Sequence, residues 1–191
     1  GYTEGALAGD HAGDKDVFVM RIDTDGGVIW QQQFGGEGLD WTQGVDVDAD
    51  GGVVLAGSTE TASDGGRDLL VLAYDAEGQQ RWTTRVGTDA NDAVFEIRVR
   101  DGSIVATGNT AGDFGNPAGD RDAILVHLDL DGEVLAIEQF GTAEVDDLTG
   151  LDIAPNGTIV YSGYTSGTLA GDTAGGTDIF IGTMPGGPMI G

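Results

Sequence analysis

Short apolar runs bounded by acidic residues and glycine recur along the chain, and no window shows the 3.6-residue spacing of an amphipathic helix. The clearest runs read DVFVMRID from Asp16, DLLVLAYD from Asp68, DAILVHLD from Asp122 and DIFIGTMP from Asp178. Their leading aspartates are 52, 54 and 56 residues apart. Each is long enough for one strand and apolar at successive positions, as in a strand buried on both faces. A second, alternating run follows each of the first three and ends at Gly35, Gly87 or Gly141, with Asp40, Asp92 or Asp146 five residues further on. Gly-x-Thr recurs at Gly1, Gly57, Gly108 and Gly163.

The pattern predicts four strands per copy. In the first they are 17–22, 28–34, 41–48 and 53–59; in the second 69–74, 80–86, 93–99 and 103–110; in the third 123–128, 134–140, 148–153 and 158–165. Asp-Gly clusters between them supply hairpin turns, because Asp bonds its own backbone locally and Gly accepts positive φ. Repetition at this length predicts an all-β fold. The expected form is a β-propeller of ~54-residue four-stranded antiparallel blades, with about three and a half repeats present. The chain is then one propeller segment, with repeats near 1–56, 57–107, 108–162 and a partial 163–191. Three blades and a strand do not close a ring, so the expected partners are further blades of the same propeller, other proteins, or copies that complete an oligomer.

Composition sharpens this picture. Thirty-five glycines and no cysteine in 191 residues suit a turn-dense β protein without thiol chemistry. Eight basic residues against 33 acidic ones give a net charge of −25, with Asp outnumbering Glu by 25 to 8. Such a surface repels nucleic acid and anionic lipid, and no run is long and apolar enough for a transmembrane segment. Self-repulsion at this density asks for screening or for bound cations. The glycine-rich loops carrying Asp10, Asp14 and Asp16, Asp113, Asp120 and Asp122, and Asp172 and Asp178 are candidate Ca²⁺ sites, since carboxylate and carbonyl oxygens suit that ion. Asp46, Asp48 and Asp50 before Gly51 match the first half of a calcium loop, although Gly57 stands where the closing Glu belongs. The competing reading of all these aspartates is structural: strand-leading caps, turns and a solvated strand.

The order Gly-x-Thr, Asp-led apolar run, Asp-x-x-Gly, Trp, Phe/Val-Gly and Asp resembles the bacterial seven-bladed β-propeller (SBBP-type) repeat family. Gly57 to Thr59, Asp68 to Tyr74, Asp75 to Gly78, Trp82, Val86-Gly87, Asp92 and Asp101-Gly102 carry the likeness in one copy. The spacing of Asp23, Gly26 and Trp30, and of Asp75, Gly78 and Trp82, also resembles the docking motif of quinoprotein propellers, whose tryptophans pack between blades. Ala136 departs from it, so one junction is expected to pack differently.

The resemblance implies a non-enzymatic extracytoplasmic scaffold, an accessory subunit of a larger assembly, with no catalytic apparatus shared across the family. The alternatives are a carbohydrate-binding or adhesion module using Tyr2, Trp30, Trp41, Trp82 and Tyr164, and part of a propeller enzyme, quinoprotein-like or glycan-cleaving. His11 and His127 share no motif, and no nucleophile, phosphate-loop or zinc signature occurs. Arg67, Arg81, Arg85, Arg98 and Arg100 crowd the second copy and mark it for contact with an acidic partner or a neighbouring blade.

Overall fold

The computed structural model describes residues 1–60, 66–169, 171 and 175–186. Its strands are β1 (Tyr2–Thr3), β2 (Asp16–Ile22), β3 (Val28–Phe34), β4 (Asp40–Val47), β5 (Val53–Glu60), β6 (Arg67–Tyr74) and β7 (Gln80–Val86). They continue with β8 (Asp92–Arg100), β9 (Ser103–Thr110), β10 (Asp122–Asp129), β11 (Val134–Phe140), β12 (Asp146–Ile153), β13 (Ile159–Thr165) and β14 (Asp178–Met184). These form four separate antiparallel sheets, in order β1-β2-β3, β4-β5-β6-β7, β8-β9-β10-β11 and β12-β13-β14.

Local chemistry explains the hairpins. At the β2–β3 turn the Asp23 carboxylate accepts the backbone N–H groups of Asp25 (2.9 Å) and Gly27 (2.7 Å), while Gly26 takes a φ of 85°. Asp75 and Asp129 repeat the arrangement at the β6–β7 and β10–β11 turns. Tryptophan closes the same end of the first two junctions. Trp30 donates its ring N–H to the Ala76 carbonyl (2.9 Å), and Trp82 donates to that of Leu130 (2.8 Å), each reaching from one sheet to the next.

The apolar runs of β6 and β10 are buried on both faces because their sheets pack on a neighbour at each side. Leu70, Leu72, Leu55 and Tyr74 of the second sheet cluster with Val17 and Val19 of the first. Leu69 and Val71 instead cluster with Ile124 and Val126 of the third, where Leu125 turns to Leu148, Ile159 and Phe180 of the fourth. Successive residues of one strand thus serve two interfaces. Ile179 and Ile181 are 85% and 74% exposed, although the corresponding Ala123 and Leu125 are fully covered. Among the described residues the fourth sheet has no neighbour on that side.

This corrects the expected architecture. The described strands make an open row of four discrete sheets; none is closed or curled, and no ring forms. The chain is all-β but not a propeller, and the assignment to the seven-bladed SBBP-type family falls with it. Expected partners in the form of further blades of the same propeller lose their basis, because the sheets show no blade symmetry to complete. The physical reason lies in the connections. Residues 35–39 carry the chain across to another sheet rather than back as a hairpin, so the four strands expected of the first copy divide between two sheets. Apolar alternation specifies a strand and its faces, and it leaves open which strands share a sheet. No helix among the described residues is long and apolar enough to cross a membrane.

Candidate ligand site at the strand-leading edge

One edge of the row collects the leading ends of β4, β6, β8, β10 and β12. Buried aspartates organise it. Asp16 accepts hydrogen bonds from Gln33 (2.6 Å), the Ala12 N–H (3.0 Å) and His11 (3.1 Å), and Asp122 from Gln139 (2.7 Å) and the Ala118 N–H (2.8 Å). Burial works to raise the pKa of Asp16, but its donors outweigh that and hold it below the usual carboxylate range. A second row follows the glycine turns. Asp40 accepts the Gly36 N–H, and Asp92 and Asp146 each accept the N–H and hydroxyl of Thr88 or Thr142. Burial, only partly offset by bonds from Thr110 and Thr88, pushes Asp92 up.

The residue before each leading aspartate is basic three times over. Lys15, Arg67 and Arg121 are three of the eight cations in the chain, and each meets an aromatic ring. The Lys15 ammonium stands 4.3 Å from the Tyr2 ring centre, the Arg67 guanidinium 5.3 Å from that of Trp41, and Arg121 reaches the Tyr164 oxygen at 3.4 Å.

Arg67 and Arg121 border a cavity of about 470 Å³, lined also by Trp41, Asn91, Phe95 and Tyr164, a size within the roughly 300–1,000 Å³ usual for small-molecule sites. Its two cations differ. Arg121 is committed, pairing with buried Asp147 at 2.6 Å, while Asn109 holds the other oxygen of that carboxylate. The hydrogen bond to Asp147, with burial and the Asp147 charge, pushes the Tyr164 phenol up and keeps it protonated. Among the described residues the Arg67 guanidinium donates only to the Asn91 side-chain amide oxygen, at 3.4 Å. Among the described residues no carboxylate lies within ion-pair distance of it.

The residues singled out for calcium fall in different places. Asp16 and Asp122 are buried and bonded as above, Asp120 lines the cavity, and Asp10 and Asp14 are exposed. Asp113 closes a tight turn on the Gly115 N–H (2.6 Å), Asp178 begins β14, and Asp172 lies outside the described residues. The Asp46, Asp48 and Asp50 triplet does not converge. Asp46 accepts the N–H groups of Val47 and Val99, and Asp48 those of Asp50 and Gly52 together with Arg81 at 2.7 Å. Among the described residues no three His, Cys, Asp or Glu side chains form a metal-holding group, so calcium binding gains no support from the geometry.

Of the five arginines crowding the second copy, Arg81 is paired with Asp48, Arg98 with Glu96 and Arg100 with Asp101; Arg85 is exposed, and Arg67 alone of the five lines the cavity. His127 is buried, and burial, opposed by the Glu138 charge, lowers its pKa. The row of Lys15, Arg67 and Arg121 escaped the residue-by-residue reading. Its signal was there, in the shared position one residue before each leading aspartate.

No family model matches the chain. It is similar to the regulatory protein FlaEY of Caulobacter vibrioides, 28% identical over 174 residues that take in 79% of this chain and 18% of that protein. The chain thus spans less than a fifth of that relative. It also aligns with an exo-beta-1,3-galactanase of Clostridium thermocellum, at 17% identity and a TM-score of 0.41, over 83% of this chain and 37% of the other. That likeness is partial and supports neither an enzyme nor a scaffold. The expected scaffold, adhesion and propeller-enzyme roles were drawn from a propeller architecture, and the open row of sheets removes that ground.

Proposed function

We propose that the chain binds a small, singly charged carboxylate ligand carrying a planar ring, in the cavity between Arg67 and Arg121. The observation that carries this is the uncommitted Arg67 guanidinium, set over Trp41 in a chain of net charge −25. In a chain this acidic, a cation at a cavity wall that pairs with no carboxylate among the described residues leaves its charge for a ligand. Trp41 and Phe95 offer faces for a ring, and Asn91 and Tyr164 offer polar contacts. The surrounding negative field, with Asp120 in the cavity wall, opposes phosphate and other multiply charged anions more strongly than a single carboxylate. A binding role also agrees with the name of the Caulobacter relative, a regulatory protein.

The test is calorimetric titration with benzoate, its neutral counterpart benzamide, and inorganic phosphate. Benzoate should bind with a millimolar constant and the other two should not. Arg67→Gln should weaken benzoate about 10- to 100-fold, the loss of one charge-assisted contact. Equal binding of benzamide, or unchanged affinity in Arg67→Gln, overturns the proposal.

A further inference from the structure

The opposite, hairpin end of the row holds a second cavity, at the one junction where the tryptophan pattern is broken. In the first two junctions a tryptophan fills this end. Trp30 lies against Gly78 and Trp82 against Gly132, so closely that a Cβ on either glycine would sit 2.7 Å from the ring. Both rings occupy the position 14 residues after a leading aspartate, and both donate to the residue eight after the next leading aspartate, Ala76 or Leu130. By the same count the third junction carries Ala136 in place of tryptophan, and Gly186 in place of the acceptor. There the structure has a cavity of about 250 Å³, lined by Leu135 beside Ala136, by Val105, Ile153 and Ile159, and by Pro185 and Gly186.

We propose that this cavity is a binding site for a flat aromatic molecule with a ring N–H donor, of indole class, which takes the place of the absent tryptophan. Three features support it. Val105, Leu135, Ile153, Ile159 and Pro185 give a lining otherwise made of glycines and polar residues an aliphatic patch, onto which transfer of a ring from water is favourable. The volume exceeds the ~150 Å³ of an apolar cavity able to admit benzene, which leaves room for a bicyclic ring. Gly186, which lines the cavity, is by sequence count the counterpart of the acceptors Ala76 and Leu130, so its carbonyl offers a ring N–H donor a partner. Arg100 and Asp101 at the rim face each other at 3.8 Å and leave the aliphatic wall uncharged. The site is independent of the carboxylate cavity, since none of its lining is shared with it.

The probe is indole, titrated into the whole chain while the methyl resonances of Leu135, Ile153 and Ile159 are followed by NMR. Saturable shifts on these methyls are expected, with N-methylindole about fivefold weaker because it lacks the donor. Ala136→Trp should fill the cavity, raise the thermal midpoint by about 2–4 °C and abolish the indole response. Should Ala136→Trp fail to fold, Ala136→Phe takes its place in the same test. Absence of saturable shifts in the wild-type chain, or an undiminished response in the folded filled variant, overturns the proposal.

Discussion

Replacing Gly141 by alanine tests the buried carboxylate rows at a single atom. A Cβ there would lie 2.4 Å from Asp122 Oδ1 and 2.8 Å from Asp146 Oδ2, well inside contact distance for both. Gly141 does not have a positive φ, so the cost is steric and not conformational. Neither carboxylate can step aside cheaply. Asp122 is held by Gln139 and the Ala118 N–H, and Asp146 by the N–H and hydroxyl of Thr142, all between 2.6 and 2.9 Å. Relief therefore breaks at least one hydrogen bond to a buried charge, about 1.5–3 kcal/mol, and adds strain of similar size from overpacking. We expect Gly141→Ala to lose about 3 kcal/mol in urea unfolding followed by circular dichroism. Gly5→Ala, where an added Cβ meets nothing within 4 Å, is the control and should stay within about 0.5 kcal/mol of wild type. A double-mutant cycle with Asp122→Ala should recover about 1 kcal/mol or more, because the truncated side chain no longer opposes the methyl. A Gly141→Ala protein as stable as the control would refute the claim that these carboxylates are pinned.

Two further outcomes follow from the same geometry. Burial lowers the pKa of His127, so the folded state binds its proton less readily than the unfolded chain; stability is full above the unfolded histidine value and falls as pH drops through it. His127→Gln should flatten that decline in a pH series of thermal midpoints, and an unaltered profile would remove His127 as its source. The loop aspartates have backbone or arginine partners in place of a shared cation, so midpoints in EDTA and in millimolar Ca²⁺ should agree at constant ionic strength; a rise with Ca²⁺ beyond that of matched Mg²⁺ would restore a calcium role.

Much of the strand content was legible because alternation and Asp-Gly turns are local signals. The runs 28–34, 80–86 and 134–140 coincide with β3, β7 and β11, and 103–110 with β9. What local signals could not carry was the grouping of strands. A glycine-led connection such as 35–39 reads as a turn, and only tertiary packing decides that it crosses between sheets. The expected propeller failed at that step.

The site was legible in part. Asp16, Asp92, Asp122 and Asp146 stand out by spacing, and their burial follows from donors that arrive from loops 4 residues away. The cavity was not legible, since Trp41, Arg67 and Tyr164 come from three different sheet positions far apart in the chain. Ala136 was readable as a departure from the tryptophan pattern, but the cavity at that junction depends on how Leu135 and Ile159 meet across two sheets.

The central claim is that Arg67 holds its charge for a ligand. It is tested most directly by a crystal structure of the chain grown with benzoate. The account predicts a carboxylate on the Arg67 guanidinium with its ring against Trp41. Arg67 paired with one of the chain's own carboxylates, or benzoate bound only elsewhere, would contradict it.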